Sequence, residues 1–473
     1  MNKAVVEDIV YKVVKVSDPS VSPDGFNVVY VKSQVDTETM KVKSQIILRK
    51  LPDGEETLFT NGPKDGTPKI SPDGKSIAFT RPDKEGQSQI WLLSMIGGEA
   101  CRLTSVQGGV TDIAWSPDSS RLAFVSKVDP DLPTEHMDSD IPRVKVISRL
   151  YYRADGEGWR GDSFKHIFIA DTKTGELMQL TDGDGDNLLP AWSPDGSSIA
   201  FVSDRGEFRE IKDWNATYVV SAFGGVPKLW SEGLTNTDVV SWSPDGRSLA
   251  VTGTNDEALG ANGQGWLYLL RQGESPKRLT DDSIKMSSYG GTPLPPFMME
   301  DGRILFVAET HGEAYLYETT TDSVSPRVLC GGGARFSSIT LDGKGARAVL
   351  VSDTPSSPDD LQLIDLISGS SNQITNYNQD YLNNHPEPTL EKFTIERAGF
   401  TIESRLYLPH DFDPDLKYPL VLDIHGGPHN VFYDGFYPVQ QVLAKSGYLV
   451  LAVNPRGSGT YGADFAKAVQ GDW

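Results

Sequence analysis

The sequence contains very little cysteine. Cys101 and Cys330 are its two cysteines in 473 residues, and they lie far apart, without the spacing of metal ligands. This argues against a disulfide framework and against a zinc site. We expect both side chains to be buried as apolar residues, and we predict no cofactor and no metal site.

Long apolar runs and excess positive charge are also missing. The longest apolar runs, such as GYLVLAV, have the length of a strand, and none approaches the roughly 18 residues of a membrane span. The N-terminal stretch MNKAVVEDIVYK is interrupted by Glu7 and Asp8 and lacks a signal-peptide core. A formal charge of −21 disfavours nucleic acid and anionic membranes as partners. The sequence therefore predicts a soluble, cytoplasmic protein.

One repeated unit dominates the first four fifths of the chain. Five clear copies and two weaker ones read VSPDGFNVVYV, ISPDGKSIAFT, WSPDSSRLAFVS, WSPDGSSIAFVS, WSPDGRSLAVTG, MEDGRILFVAE and LDGKGARAVLVSD. Serine can cap such a turn, proline fixes φ at its second position, and Asp-Gly supplies a bonding side chain and the position with φ > 0. Each copy therefore predicts a tight turn that leads into a strand.

The spacing of the copies indicates a propeller. The turn aspartates recur every 41 to 56 residues, apart from one interval of 77, and a four-stranded propeller blade takes roughly 40–50 residues. We predict an all-β, seven-bladed β-propeller over residues 16–385, because stacked blades bury faces that one blade cannot. A β-sandwich is the alternative, and seven matched copies disfavour it. Trp115, Trp192 and Trp242 precede strands at the same repeat position, so we expect them to be buried between blades.

The long interval contains an insertion, residues 129–165. Its core, IPRVKVISRLYYRADGEGW, is cationic in an acidic chain and alternates basic or aromatic with aliphatic residues, as a strand of a hairpin does. Arg149, Tyr151 and Arg153 are candidate substrate-binding residues, because arginine can bind a carboxylate or a peptide carbonyl beside apolar walls. The alternative is an extended hairpin that packs on a neighbouring blade or subunit.

The pattern changes in the last ninety residues. EKFTIERAG and TIESRLYLP predict an antiparallel pair, and YPLVLDI and GYLVLAV predict strands buried on both faces of a sheet. FYPVQQVLAKSG predicts a crossover helix, and YGADFAKAVQGDW begins another. Strand, strand, strand, helix, strand, helix is the opening of an α/β domain, which we assign to residues 386–473. Residues 1–15 form a separate N-terminal segment that we expect to pack on this domain.

A glycine turn follows the third of these strands in the sequence YPLVLDIHGGPHN. It is similar to the loop after the third strand of α/β-hydrolases, where a glycine N–H helps to form the oxyanion hole. Glycine lets the reacting carbonyl approach closely, and the N–H stabilises charge that develops in the tetrahedral intermediate. Gly426 and Gly427 are therefore candidate oxyanion donors, and His425 and Pro428 are candidate supports of the loop.

Taken together, the repeated turns, SRLYYRADGEGW, HGGPH and NPRGSGTYG with the closing GDW resemble the prolyl oligopeptidase family of serine peptidases, and within it the acylaminoacyl-peptidase branch. The resemblance implies a propeller that admits only short peptides to an α/β-hydrolase domain. It also implies acyl transfer by a Ser-His-Asp triad that releases N-acylated residues or cleaves oligopeptides. An esterase with the same oxyanion loop and a non-catalytic propeller scaffold are the alternatives, and a homo-oligomer is compatible with the family.

The sequence departs from this family in one respect. No Gly-x-Ser-x-Gly elbow occurs in the 473 residues, and the last histidine is His429. Ser458 lacks the first glycine and is interpreted as a turn residue. We expect the triad C-terminal to Trp473, in a longer enzyme, and we predict that this chain alone is inactive. Phe432 is a candidate for an acyl pocket, with core packing as the alternative.

Overall fold

The computed structural model describes residues 8–130, 144–154, 156–206, 209–212, 214–258, 264–282, 284, 286–287, 294–323 and 325–472. The first seven residues of the predicted N-terminal segment, residues 131–143 and 155 of the predicted insertion, and the predicted closing Trp473 lie outside the described residues. Within the described part, every helix is too short or too polar to cross a membrane.

Over the described residues, the repeat region forms seven sheets, each built from four main strands that follow one another in the chain. Sheets 1 to 3 contain, in chain order, β1 (Lys15–Val21), β2 (Asn27–Val35), β3 (Val42–Lys50) and β4 (Glu56–Leu58); β5 (Gly66–Ile70), β6 (Ser76–Pro82), β7 (Ser88–Ser94) and β8 (Cys101–Arg102); and β9 (Thr111–Trp115), β10 (Arg121–Val128), β13 (Phe164–Asp171) and β14 (Leu177–Gln179). A small hairpin, β11 (Arg153–Ala154) with β12 (Gly158–Trp159), interrupts sheet 3 in the chain.

Sheets 4 to 7 repeat this arrangement. They contain β15 (Asn187–Trp192), β16 (Ser198–Ser203), β17 (Ala216–Ser221) and β18 (Lys228–Leu229); β19 (Asn236–Trp242), β20 (Leu249–Thr254), β21 (Gln264–Leu270) and β22 (Lys277–Arg278), with β23 (Met286–Ser287) beside β21; β24 (Phe297–Met298), β25 (Arg303–Thr310), β26 (Glu313–Thr320) and β27 (Arg327–Gly331); and β28 (Arg335–Leu341), β29 (Arg347–Thr354), β30 (Ser357–Asp365) and β31 (Ser371–Gln373). The strands pair antiparallel, for example along β28 to β31. This is a propeller-like β fold.

The repeated turns have the predicted chemistry. In the second copy, Ser71 Oγ donates to Asp73 Oδ1 at 2.6 Å and accepts from the Ser76 N–H at 3.0 Å, while Gly74 has φ of 72°. The same serine–aspartate bond recurs in the four other clear copies. In the third copy, the hydrogen bond from Ser116 lowers the pKa of Asp118 to about 2. The sequence therefore predicted these turns correctly.

The repeat tryptophans are only partly as predicted. Trp192 is 8% exposed, and its indole N–H donates to the Ala114 carbonyl of the neighbouring sheet at 3.1 Å. Trp242 donates in the same way to Ala191 at 3.0 Å. Trp115 and Trp242 are half-buried, so full burial was wrong for these two. For Trp242 the reason is a surface cavity of about 860 Å³ that this residue lines.

The contacts divide the chain into two compact units. The first contains Met1–Ile70, Asn262–Tyr268 and Arg278–Trp473, and the second contains Ser71–Ala261 and Leu269–Lys277. Within the first unit, the first and last sheets of the repeat region share a core, in which Val28 and Tyr30 of sheet 1 join Val349 and Val351 of sheet 7. Within the second unit, sheets 3 and 4 share a similar core. Neighbouring sheets therefore bury the faces that a single sheet would expose.

The last part of the first unit is an α/β segment in the predicted order. Its sheet 8 runs β32–β33–β35–β34, and its elements are β32 (Thr389–Arg397), β33 (Phe400–Leu408), β34 (Leu420–Asp423), α2 (Pro438–Lys445), β35 (Leu449–Asn454) and α3 (Ala463–Lys467), preceded by α1 (Gln379–Asn384). The predicted antiparallel pair and crossover helix are present. β34 and β35 are parallel. Ile9, near the N-terminus, shares a core with Tyr381, Phe436 and Val442.

Two expectations about burial were wrong. Leu420 and Leu422 on β34 are 57% and 53% exposed, because among the described residues this strand lies at the edge of sheet 8 with a partner on one side. The two cysteines are not buried apolar residues either, since Cys101 is exposed on the short edge strand β8 and Cys330 is half-buried.

Candidate functional site

Two loops meet at the carboxyl ends of the parallel strands β34 and β35. Because parallel strands end at the same edge of a sheet, the loops that follow them lie side by side. We call residues 424–430 the glycine loop and residues 455–460 the serine loop. The sequence singled out both, as HGGPH and as part of NPRGSGTYG.

Hydrogen bonds hold the two loops together. His425 Nε2 lies 3.0 Å from Ser458 Oγ, and His429 Nδ1 donates to the Gly457 carbonyl at 2.8 Å. The Gly459 N–H donates in return to the His429 carbonyl at 3.0 Å. Ser458 is fully buried, and its hydroxyl donates to the Pro455 carbonyl at 2.7 Å. Ser458 is thus a residue of the turn and not an exposed nucleophile.

The His425 side chain contacts the backbone of the glycine loop. Its Nδ1 lies 3.1 Å from the Gly426 carbonyl, while its ring packs edge-on against Phe432 at 5.2 Å. Burial lowers the pKa of His425, against the opposing effects of the Gly426 carbonyl and Asp423. The lowered pKa favours the neutral imidazole, which has one N–H and can donate either from Nδ1 or from Nε2.

The glycines of the loop have open surroundings. Gly426 and Gly427 are both exposed, and a Cβ added at Gly426 would meet no atom within 4 Å. Gly427 has φ of 122°, which disfavours any residue with a side chain. Among the described residues, none accepts a hydrogen bond from either N–H. Pro428, which follows, has no N–H to offer. Two N–H donors are thus available to a ligand at this edge of the sheet.

A cluster of paired, mostly buried charged residues supports the two loops. Asp434 is 1% exposed, and it accepts from Arg405 Nη2 at 2.9 Å and from Lys392 Nζ. Arg405 is fully buried and also pairs with Glu403 at 2.6 Å, while Lys392 reaches Glu313 of β26 at 3.0 Å. Burial disfavours the charged form of Lys392, but hydrogen bonds to Asp434 and Glu313 raise its pKa. The charges are therefore compensated within the cluster.

The turn between β25 and β26 joins this cluster to the serine loop. The Asp434 N–H donates to the Gly312 carbonyl at 2.8 Å, and Arg405 Nη2 donates to the His311 carbonyl at 3.3 Å. The Gly312 N–H donates to Thr460 Oγ1 at 3.0 Å. A Cβ at Gly312 would lie 2.8 Å from Arg405 Nη2, so glycine is required for this close approach. The serine loop is thus fixed by residues that lie far away in the chain.

Phe432 lies in the core of the α/β segment. It is 6% exposed and packs with Tyr407, Ala444 and Val450. Its N–H donates to Asn454 Oδ1 at 2.7 Å, and Asn454 Nδ2 donates back to the Phe432 carbonyl at 3.0 Å. The structure therefore places Phe432 in the packing position that the sequence left as the alternative to an acyl pocket.

The candidate substrate residues of the insertion belong to the second unit. The Arg149 side chain is 10% exposed, and its Nε donates to Glu210 at 3.1 Å. It lines a cavity of about 490 Å³. Tyr151 is 39% exposed, and Arg153 is exposed on β11. The expected hairpin strand was wrong for residues 144–152, because the hairpin forms later in the chain, at β11 and β12.

Sequence reasoning missed three residues that position the site, Arg405, Asp434 and Asn454. All three are at most 1% exposed. The signal that could have found them is a charged or amide side chain inside an apolar run, as in SRLYLP, VFYDGFYP and LAVNP. Such residues are buried only when they are paired.

Comparisons with known proteins agree with this architecture. Residues 149–261 match the model of the dipeptidyl peptidase IV N-terminal region, and residues 435–473 match that of the prolyl oligopeptidase family. The uncharacterized peptidase YuxL of Bacillus subtilis is 30% identical over 100% of this chain and 74% of its own length. Dipeptidyl-peptidase 5 of Porphyromonas gingivalis is 25% identical over 97% of this chain and 69% of its own.

Solved structures share the fold. An acylaminoacyl peptidase of Pyrococcus horikoshii superposes with a TM-score of 0.78 at 22% identity, covering 98% of this chain and 69% of its own. At this identity the likeness shows the fold alone, a propeller-like β region with an α/β-hydrolase segment. The sequence match to YuxL shows the family as well as the fold. The chain belongs to the prolyl oligopeptidase family of serine peptidases.

Proposed function

We propose that the chain is the propeller-bearing part of a serine peptidase that releases N-acylated amino acids from short peptides, or cleaves them, by acyl transfer. The observation that carries the proposal is the glycine loop, where the N–H groups of two exposed glycines have no acceptor among the described residues. Donors held in place before the reaction stabilise the oxyanion of a tetrahedral intermediate. We assign this role to Gly427, with Gly426 as the second candidate, and loop support to His425 and Pro428.

In this proposal the seven sheets are the blades of one propeller, residues 16–385, which limits the size of the substrate. The shared core of sheets 1 and 7 supports it, because the first and last blades of a closed ring must meet. Residues 386–473 then belong to the hydrolase domain. The core that contains Ile9 and Phe436 supports the packing of the N-terminal segment on that domain.

The substrate contacts are a separate part of the proposal. Arg149, Tyr151, Arg153 and Phe432 remain candidates, but their surroundings differ. Arg149 is already bonded to Glu210, and Phe432 is 6% exposed in the core. Tyr151 and Arg153 are more exposed, and we rank them first.

Two further activities are kept as alternatives. The Porphyromonas gingivalis relative is named a dipeptidyl-peptidase, which favours release of dipeptides with a free amino terminus. An esterase could use the same oxyanion donors on ester substrates. A non-catalytic scaffold is disfavoured, because it would have no need of the glycine loop.

The proposal assigns the catalytic triad to residues other than these 473, which contain no Gly-x-Ser-x-Gly. Oxyanion donors alone leave only a small part of a triad enzyme's acceleration. We therefore expect the purified chain to leave an acyl-amino-acid anilide intact and to resist labelling by a serine-directed fluorophosphonate. Labelling of the chain itself would contradict this assignment.

Substrate assays on a longer form of the protein, one that carries such an elbow, separate the candidate activities. The three substrates are an acyl-amino-acid anilide, a dipeptidyl anilide with a free amino terminus, and a short-chain nitrophenyl ester. We expect the first to have the highest kcat/KM. Preference for the second would replace acyl-residue release by dipeptide release, turnover of the ester alone would favour an esterase, and turnover of none would favour the scaffold.

A further inference from the structure

A cavity of about 860 Å³ lies between sheets 4 and 5, within the second unit. Its walls come from the β17–β18 hairpin, the repeat turn before β20 and the turn between β21 and β22. Ser198, Trp242 and Gly246 are among the residues that line it. The volume is in the range of small-molecule sites. We call the contact between two neighbouring sheets a junction, and the equivalent space at another junction is filled by a side chain.

At the junction of sheets 3 and 4, an arginine crosses from one sheet to the next. Arg121, the first residue of β10, donates from Nη2 to the Gly196 carbonyl of the next repeat turn at 3.1 Å. Its guanidinium carbon lies 4.7 Å from the centroid of the Trp192 ring and 5.3 Å from that of the Phe223 ring. An aromatic face attracts a cation placed over it. The arginine therefore joins the two sheets by a hydrogen bond and by cation–π contacts.

Two other junctions contain the same bridge. Arg303 of sheet 6 donates from Nη2 to the Gly345 carbonyl of the seventh repeat turn at 3.5 Å. Arg347 of sheet 7 donates from Nη1 to the Gly25 carbonyl of the first repeat turn at 3.4 Å. Each of these arginines begins the second strand of its sheet, as Arg121 does. A bridge from this position to a turn glycine is thus a recurrent feature of the repeat.

The junction of sheets 4 and 5 keeps the geometry of the junction of sheets 3 and 4. The Trp242 indole donates to a carbonyl of the preceding sheet at 3.0 Å, as the Trp192 indole does at 3.1 Å. A Cβ at Gly246 would lie 3.6 Å from Cδ of the turn proline of the preceding sheet, and a Cβ at Gly196 would lie 3.7 Å from the equivalent atom. The two junctions therefore match at the tryptophan and at the turn glycine.

The bridging arginine is the part that differs. Ser198 is the first residue of β16, the position that Arg121 has in β10, and serine has no guanidinium to donate. Among the described residues, none donates to the Gly246 carbonyl and no cation lies over the Trp242 ring. The cavity thus presents the acceptor and the aromatic ring that hold a guanidinium at the matched junction.

We propose that this cavity binds the guanidinium group of an arginine ligand, either the free amino acid or the last residue of a short peptide. The guanidinium donates to the Gly246 carbonyl and lies over the Trp242 ring, in the place that Arg121 fills at the neighbouring junction. The site belongs to the second unit, whereas the glycine loop belongs to the first, so this binding does not depend on the proposed peptidase activity.

The charges around the cavity fit a ligand that carries a carboxylate as well. Its lining contains two carboxylates and three cations, which are Asp245, Glu274, Lys228, Arg247 and Arg271. Arg271 Nη1 lies 3.8 Å from Glu274 Oε2. The exposed side chains of Lys228 and Arg247 donate no hydrogen bond to another described residue. These two cations are available to the ligand carboxylate, which offsets their repulsion of the guanidinium.

Thermal melting of the 473-residue chain tests the ligand. We expect millimolar L-arginine to raise Tm, because a ligand that binds the folded state stabilises it. L-Citrulline, which has a neutral ureido group, and agmatine, which has no carboxylate, should both give smaller shifts. An equal shift with citrulline overturns the guanidinium site, and an equal shift with agmatine overturns the carboxylate contact. A larger shift with glycyl-arginine than with L-arginine assigns the site to peptides, and the reverse assigns it to the free amino acid.

A variant that supplies the guanidinium from the chain tests the position. Ser198→Arg should raise Tm without ligand and abolish the shift with L-arginine, because its own side chain fills the site. Ser197→Arg is the matched control, since it adds the same charge at an exposed residue that does not line the cavity, where the next repeat turn has Arg247. This control should keep the shift. Retention of the shift in Ser198→Arg, or its loss in both variants, overturns the proposal.

Discussion

The repeat turns and the glycine loop are held by contacts of very different range. In a repeat turn, Ser71 bonds to groups two and five residues away. The glycine loop contacts Ser458 through His425, 33 residues away. In the ion cluster, Arg405 bonds to Asp434 across 29 residues and to the His311 carbonyl across 94. A repeat turn is specified by the few residues that form it, whereas the site requires sheet 6 and the α/β segment to be folded together. The comparison predicts that single substitutions cost far more at the site than at a turn.

Removal of Asp434 should have the largest effect. Asp434→Ala leaves Arg405 and Lys392 without their shared carboxylate, and loss of one partner from a buried pair costs about 3–5 kcal/mol. Urea unfolding of the chain measures this loss. The control is Glu274→Ala, whose pair with Arg271 is exposed on both sides and should change the unfolding free energy by less than about 1 kcal/mol. Equal effects would show that the ion cluster does not support the fold.

A repeat turn should be more tolerant. Ser71→Ala removes the hydroxyl that bridges Asp73 and the Ser76 N–H, and we expect a loss of about 1 kcal/mol in unfolding free energy. A double-mutant cycle with Asp73→Ala isolates the serine–aspartate bond from the rest of the turn. A coupling free energy near zero, or a loss as large as that of Asp434→Ala, would remove the contrast between local and long-range support.

The smallest expected effect is a change in how stability depends on pH. Burial raises the pKa of Asp360 to about 7, against the hydrogen bond from Thr375, and Asp359 adds to the increase. The folded chain then holds a proton that the unfolded chain has lost, so stability falls as pH rises from about 4 to about 7. Asp360→Asn should make the change of Tm with pH shallower in this window.

A second aspartate controls for this pH effect. Hydrogen bonds from the Ser368 backbone and side chain lower the pKa of Asp365, so its contribution is lost only as pH falls below about 4. Asp365→Asn should leave the slope between about pH 4 and 7 unchanged. If Asp360→Asn also leaves it unchanged, ionisation of Asp360 does not contribute to stability.

The sequence predicted the parts of the fold that depend on neighbouring residues. The Ser-Pro-Asp turns, the β32–β33 pair and helix α2 each follow from a pattern within a short window. The ion cluster could not be predicted, because the partner of Arg405 is set by how the strands assemble. The exposure of Leu420 follows from the place of β34 in the sheet, and an apolar run does not specify whether its strand is central or at an edge.

The candidate site was likewise predicted only where it depends on neighbouring residues. HGGPH predicted a glycine loop at the end of a strand, and the loop is there with Gly427 at φ of 122°. The contacts of His425 with Ser458 and of Gly312 with Thr460 could not be predicted, because they join segments 33 and 148 residues apart. A short sequence pattern thus predicted the loop, whereas contacts between distant segments determine its position.

The proposed role of Gly427 is tested most directly by kcat for Gly427→Val, measured in a form of the protein that contains a Gly-x-Ser-x-Gly elbow. A side chain at this position turns the N–H away or obstructs the carbonyl, so we predict a decrease in kcat of roughly 10²–10³. Gly206→Val is the control, since a Cβ at Gly206 would meet no atom within 4 Å and this glycine lies outside the glycine loop. Thermal melting of both variants separates catalysis from folding. A folded Gly427→Val protein with normal kcat would contradict the assignment of Gly427 to the oxyanion hole.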